Sequence, residues 1–203
     1  MNKTQLTLSA AAFAGLLAVA GCASPANPGS MPGMDHGNSG TSAPANITSA
    51  GHNAADVMFA QMMIPHHAQA VEMSDAVLAK ADIPTAVTQL AVKIKAAQAP
   101  EIEKMTGWLK SWNMPVMGSS GHSGHSMDGM LTDADLKKLS AAQGTEAAKL
   151  FLTQMIAHHE GAVTMAKTEI TQGSNPEAVQ LSKDIVTSQE AEIQEMRDLL
   201  ATL

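Results

Sequence analysis

Between about Ala54 and Ala79, apolar side chains fall at Phe59, Met62, Met63, Val71, Met73 and Val77, a spacing that tracks one face of a helix. Asp82-Ile83-Pro84 breaks that run, and the proline is placed to open the next helix. The second run, about Thr85 to Trp112, carries Leu90, Ile94, Ile102, Met105 and Leu109 on one stripe. Thr132 to Asp135 reads as the capping signal of a short helix. A third long helix is expected from about Thr145 to Thr171, stopping near Gly173. Asn175-Pro176 then supplies an N-cap and a first-turn proline for a fourth, which reaches nearly to Leu203. Pro65, inside the first pattern, is expected to kink or loosen its helix.

The pattern occurs twice. Phe59, Met63, His66, His67, Val71 and Met73 align with Phe151, Met155, His158, His159, Val163 and Met165. On the partner helices Gln89-Leu90, Ile94, Gln98, Glu101-Ile102, Met105 and Leu109 recur as Gln180-Leu181, Ile185, Gln189, Glu192-Ile193, Met196 and Leu200. One helical hairpin cannot bury its apolar face alone, whereas two packed together can. The expected fold class is therefore all-α, a four-helix bundle of two repeated hairpins with approximate two-fold symmetry. The counterpart of Pro65 is Ala157, so the unit does not require a kink there.

Composition supports helices. With 45% hydrophobic residues, three Phe, two Trp and no Tyr, the core must come from Ala, Leu, Val and an unusual load of fifteen Met. The ends of the pattern suggest export. Leu6 to Ala20 is an apolar run too short for a comfortable membrane span, and Val19-Ala20-Gly21-Cys22 resembles the bacterial lipobox. Residues 1–21 thus read as a lipoprotein signal peptide, with Cys22 as the lipidation site and a membrane anchor. Residues 22–52, rich in Ser, Pro, Gly and Asn, read as a tether, and 53–203 as the bundle, interrupted by a Gly/Ser-rich linker at 113–131. Cys22 is the only cysteine, so the remainder has no disulfide and no thiolate ligand. Loss of Lys3 with the signal leaves the chain one charge more negative than the −7 of the whole, which argues against nucleic acid and mildly favours cations.

Without thiolates, a soft metal would have to be held by thioether and imidazole. On a helix, Met63 shares a face with His66 and His67 at i+3 and i+4, and Met73 follows His66 by two turns. Met155, His158, His159 and Met165 repeat the set. Thioether sulfur suits Cu(I), and imidazole suits copper of either charge. Against this, a Met stripe is commonly core filler and a His pair commonly structural; recurrence in both copies shifts the balance, although duplication accounts for part of it. Met31, Met34 and His36 in the tether, and Met114, Met117, His122, His125, Met127 and Met130 in the linker, have no core to fill and form a second candidate metal-binding set. Glu101, Glu192, Gln98 and Gln189 either orient the imidazoles or belong to solvated faces.

The paired Met-Ile-x-His-His stretches with the downstream Gln-x-x-Glu-Ile-x-x-Met pattern resemble the bacterial domain-of-unknown-function 305 family, over about residues 54 to 203. The resemblance implies a ferritin-like fold and export. For some members it implies periplasmic copper binding and copper tolerance, pointing here to Met63, His66, His67, Met73, Met155, His158, His159 and Met165.

The expected function is a non-enzymatic copper-binding protein of the cell envelope. It would buffer, sequester or transfer Cu(I), with Ag(I) as mimic and copper efflux or delivery proteins as partners. Binding should weaken as acid protonates the imidazoles. A ferritin-like di-iron oxidase is the alternative, but it needs Glu three residues before His, and none of the eight His has one. A metal-free interaction module with oxidant-scavenging Met is the third reading.

Overall fold

The computed structural model describes residues 51–116 and 128–203. The signal peptide, Cys22, the tether residues Met31, Met34 and His36, and the linker residues Met117, His122, His125 and Met127 lie outside the described residues.

Five helices form: α1 Ala54–Leu78, α2 Thr85–Ser111, α3 Asp133–Ala141, α4 Gly144–Gln172 and α5 Pro176–Leu200. Their ends follow from local chemistry. Asn53 caps α1 by accepting from the Ala55 and Asp56 amides, while the Asp56 carboxylate accepts from the Asn53 amide. Thr132 and Asp135 make the same reciprocal pair at α3. Asn175 caps α5, with Pro176 in its first turn where no amide donor is needed. α2 begins at Thr85 with Pro84 at its N-cap, and α1 runs as continuous helix through Pro65. Gly173 does end α4, but with φ −68° rather than in the left-handed region. Glycine is required there because a Cβ would overlap the Glu169 carboxyl.

α1 packs on α2 and α4 on α5, as two hairpins, and the hairpins meet chiefly through α1 and α4. The short α3 lies across one side of the α1–α4 seam. The apolar interior is in two parts. One contains Met73, Val77, Leu90, Ile94, Leu139, Phe151, Leu152, Met155 and Met196; the other contains Phe59, Met63, Ile64, Met105, Leu109, Leu181 and Ile185. Phe151 is fully buried, and its truncation to Ala would cost about 3–5 kcal/mol in lost burial and cavity formation. Among the described residues no helix is long and apolar enough to cross a membrane.

A buried histidine layer as the candidate metal centre

The two apolar clusters are separated along every long helix by polar residues. On α1 these are His66, His67 and Gln69; on α4, His158 and His159; on α2, Gln98; on α5, Gln189 and Glu192. All are buried, and the four imidazoles have at most 1% of their surface exposed. Glu101 on α2 is partly exposed at the edge of this layer. The layer arises because the repeat places His66 and His158 on the faces of α1 and α4 that form the seam. Their rings meet there with centroids 3.7 Å apart and planes inclined by 38°. The His158 and His159 rings are 6.3 Å apart.

The outer imidazoles are held by carboxylates. His67 Nε2 is 2.7 Å from Glu101 Oε2, and His159 Nε2 is 2.9 Å from Glu192 Oε2. An ionised carboxylate only accepts, so each Nε2 carries the proton and donates, which leaves Nδ1 with its lone pair. Both Nδ1 atoms are buried without a hydrogen-bond partner among the described residues. So are all four ring nitrogens of His66 and His158. The Gln98 amide is likewise without a partner. Each such group forfeits about 1–3 kcal/mol of hydration. The glutamates therefore orient rings, whereas the glutamines are buried within the layer.

Burial also favours the neutral form of His66, His158 and His159. His66 is pushed down to about 3 by desolvation and by the neighbouring His67, with the nearby Asp128 backbone pulling slightly the other way. Desolvation holds His158 well below the usual histidine value, and the other three histidines add to it. Desolvation lowers His159 too, against the opposing pull of Glu192. Neutral imidazole is the form that ligates metals.

A backbone strap covers the layer. Gln69 donates to the Leu131 carbonyl (3.1 Å) and accepts from the Leu131 amide (2.7 Å). Its counterpart in the second repeat is Gly161, where a Cβ would overlap the Asp128 carbonyl. Gly129, at φ +83°, lies against the Ala157 and His158 carbonyls, so the end of the linker rests on the α4 backbone beside the histidine pair. The strap leaves one trace in the sequence, the replacement of Gln69 by Gly161 in the second copy of the repeat.

The methionines are distributed unequally. Met63 and Met155, one turn before His66 and His158, are fully buried, in opposite apolar clusters. Met105 accompanies Met63, and Met196 accompanies Met155; the sequence placed both only in the apolar stripe. Met73 is fully buried among apolar residues with Leu139 and Phe151. Its counterpart Met165 is only partly buried and lines an open groove. Met114 packs at the rim of one cluster, and Met130 is half-buried in the strap. Among the described residues, no three His, Cys, Asp or Glu side chains converge as a ready metal site.

A duplicated helical hairpin closed on a seam of paired histidines defines the class. The family described as Domain of unknown function (DUF305) matches residues 56–200, and the chain belongs to it. A DUF305 protein of Streptomyces coelicolor, named as a candidate secreted protein, is 40% identical with a TM-score of 0.67, over 73% of this chain and 91% of that one. A DUF305 fragment from Deinococcus radiodurans is 30% identical with the same TM-score, over 75% and 99%. CopM in its Cu(I)-bound form is 35% identical with a TM-score of 0.60, over 72% and 96%; CopM has also been solved with Cu(II) and with Ag. An uncharacterised protein, L153, of Acanthamoeba polyphaga mimivirus is 42% identical over 52 residues, and the chain spans about a third of its length.

Proposed function

We propose that the protein binds copper non-enzymatically at the cell envelope, taking up Cu(I) at the histidine layer to buffer, sequester or pass it on, and so contributes to copper tolerance. The observation that carries this reading is the set of orphaned ring nitrogens on the touching His66 and His158. Buried lone pairs with no proton donor are what a metal would satisfy, and burial keeps them unprotonated. His67 and His159, each with its far nitrogen on a carboxylate, have the form in which protein histidines commonly ligate. Among the described residues no carboxylate cluster converges here, and the buried Met63 and Met155 are the thioethers nearest in sequence to complete a site. This donor set suits a soft ion such as Cu(I) or Ag(I). The metal-bound forms of CopM support the same reading. The lipobox-like Val19-Ala20-Gly21-Cys22 supports anchoring at the envelope.

Anaerobic Cu(I) titration of the full chain against a competing chelator tests it. Replacing His66, His67, His158 and His159 together by Ala should remove the tightest equivalent while helicity persists. Unchanged stoichiometry and affinity in the helical variant would refute the histidine layer as the site.

A further inference from the structure

The two halves of the bundle are not equally covered. The repeat relates α1 to α4, so the α1–α4 seam has two equivalent flanks. On one, α3 lies over Met73, Val77 and Leu150, with Leu136 and Leu139 packed against them. Gln154 donates to the Asp135 carbonyl and Lys80 to the Ser140 carbonyl, fastening that cover. On the other flank the positions of Met73, Val77, Leu150 and Gln154 are taken by Met165, Glu169, Met58 and Met62. They line an open groove of about 340 Å³ together with Phe59, Thr168 and their neighbours.

At these four positions the covered flank carries one methionine, a valine, a leucine and a glutamine that bonds the cover. On the open flank three of the four positions carry thioethers. Met58 and Met62 stand one helical turn apart on α1, and Met165 faces them from α4. Met58 is 60% exposed, so it fills no core, and its sulfur is within reach of solvent. The groove's inner end is closed by Glu169, which is 1% exposed and whose carboxyl oxygens accept from no donor among the described hydrogen bonds. Beside it lies Asp56, so this end is net negative.

We propose that this groove is a second, surface-accessible site for a soft monovalent metal ion of the Cu(I) class, held by the thioethers of Met58, Met62 and Met165. Thioethers are neutral and do not titrate, so such a site exchanges its ion without moving a proton. The acid pair behind it attracts a cation without supplying the hard donor set that magnesium or calcium needs. The site is separate from the histidine layer and does not depend on it.

The test uses the full chain carrying methyl-labelled methionine, with Ag(I) as the probe. Single Leu replacements of Met58, Met62 and Met165, which nearly conserve volume, assign the three methyl resonances. The three should shift together and saturate, both in the wild type and in the His66, His67, His158 and His159 quadruple Ala variant. Met58→Leu should weaken the response of the remaining two by roughly tenfold or more. Methyls that stay unmoved throughout the titration, that drift without saturating, or that bind silver equally well in Met58→Leu and Met62→Leu would overturn the proposal.

Discussion

The imidazole of His66 rests against that of His158, its own counterpart in the repeat, at 3.7 Å between ring centroids, with no proton donor to either ring among the described residues. Two polar rings in contact at the centre of a bundle are a burden on the metal-free fold. Replacing both with Leu removes the unpaired nitrogens, and the metal-free variant should gain about 1–3 kcal/mol in denaturant unfolding. The same variant should lose the stabilisation that Cu(I) or Ag(I) confers on the wild type. A variant that unfolds more easily without metal would show that the rings stabilise the apo-protein by contacts of their own.

Acid should unfold the metal-free protein through this layer. His66 is held at about 3 in the fold against 6.5 when free, so between those values the unfolded chain binds the extra proton. Stability then falls as pH drops below about 6.5, by at most about 1.4 kcal/mol per pH unit for each such histidine. His158 and His159 are shifted in the same direction and add to the slope. Urea midpoints measured between pH 7 and pH 4 should decline steadily, and the His66→Leu/His158→Leu variant should decline less.

Glu169 acts with the opposite sign. Burial first, and then the neighbouring Asp56, push its carboxyl up to about 8 from 4.5. Burial would raise Asp56 too, but hydrogen bonds from Glu169, from the Asn175 and Asn53 amides and from Ser174 outweigh it and hold it below its usual value. The fold therefore retains a proton on Glu169 that the unfolded chain releases, and this contribution is full below about 4.5 and lost as pH rises through about 8. Between about 6.5 and 8 the histidines contribute no slope, so the wild type should lose stability there while Glu169→Gln stays level. Parallel curves for the two proteins would show that Glu169 is ionised in the fold.

The strap over the histidines rests on the absence of a side chain at Gly161. Gly161→Ala should force the Asp128 backbone away and cost about 1–3 kcal/mol. If the strap limits access to the layer, Cu(I) should also pass from the variant to a chelator faster than from the wild type, as followed by stopped-flow absorbance. Equal transfer rates would remove the strap from the path.

Much of this architecture was legible from period and punctuation. Thr132 with Asp135, and Asn175-Pro176, announce helix starts because a cap is a local interaction between residues two or three apart. The repeat gave the hairpins but not whether their histidine pairs converge, which the α1–α4 seam decides by bringing His66 onto His158. The methionines were less legible. Met73 and Met165 are equivalent in sequence, yet one lies under α3 and the other lines a groove, because cover by a separate helix leaves no trace in the spacing. Gly173 was legible as a stop but not for its reason, since the conflict is with a carboxyl one turn earlier rather than with backbone torsion.

The Met- and His-bearing linker leaves and rejoins the bundle on one helix. Gln61 donates to the Pro115 carbonyl where the linker departs, and Gln69 grips Leu131 where it returns. Eight residues of helix put these moorings about 12 Å apart. Both moorings lie on α1, made by two amide side chains of that helix. His66 and His67 stand between the two moorings, so the described ends of the linker bracket the helical turn that carries the histidine pair.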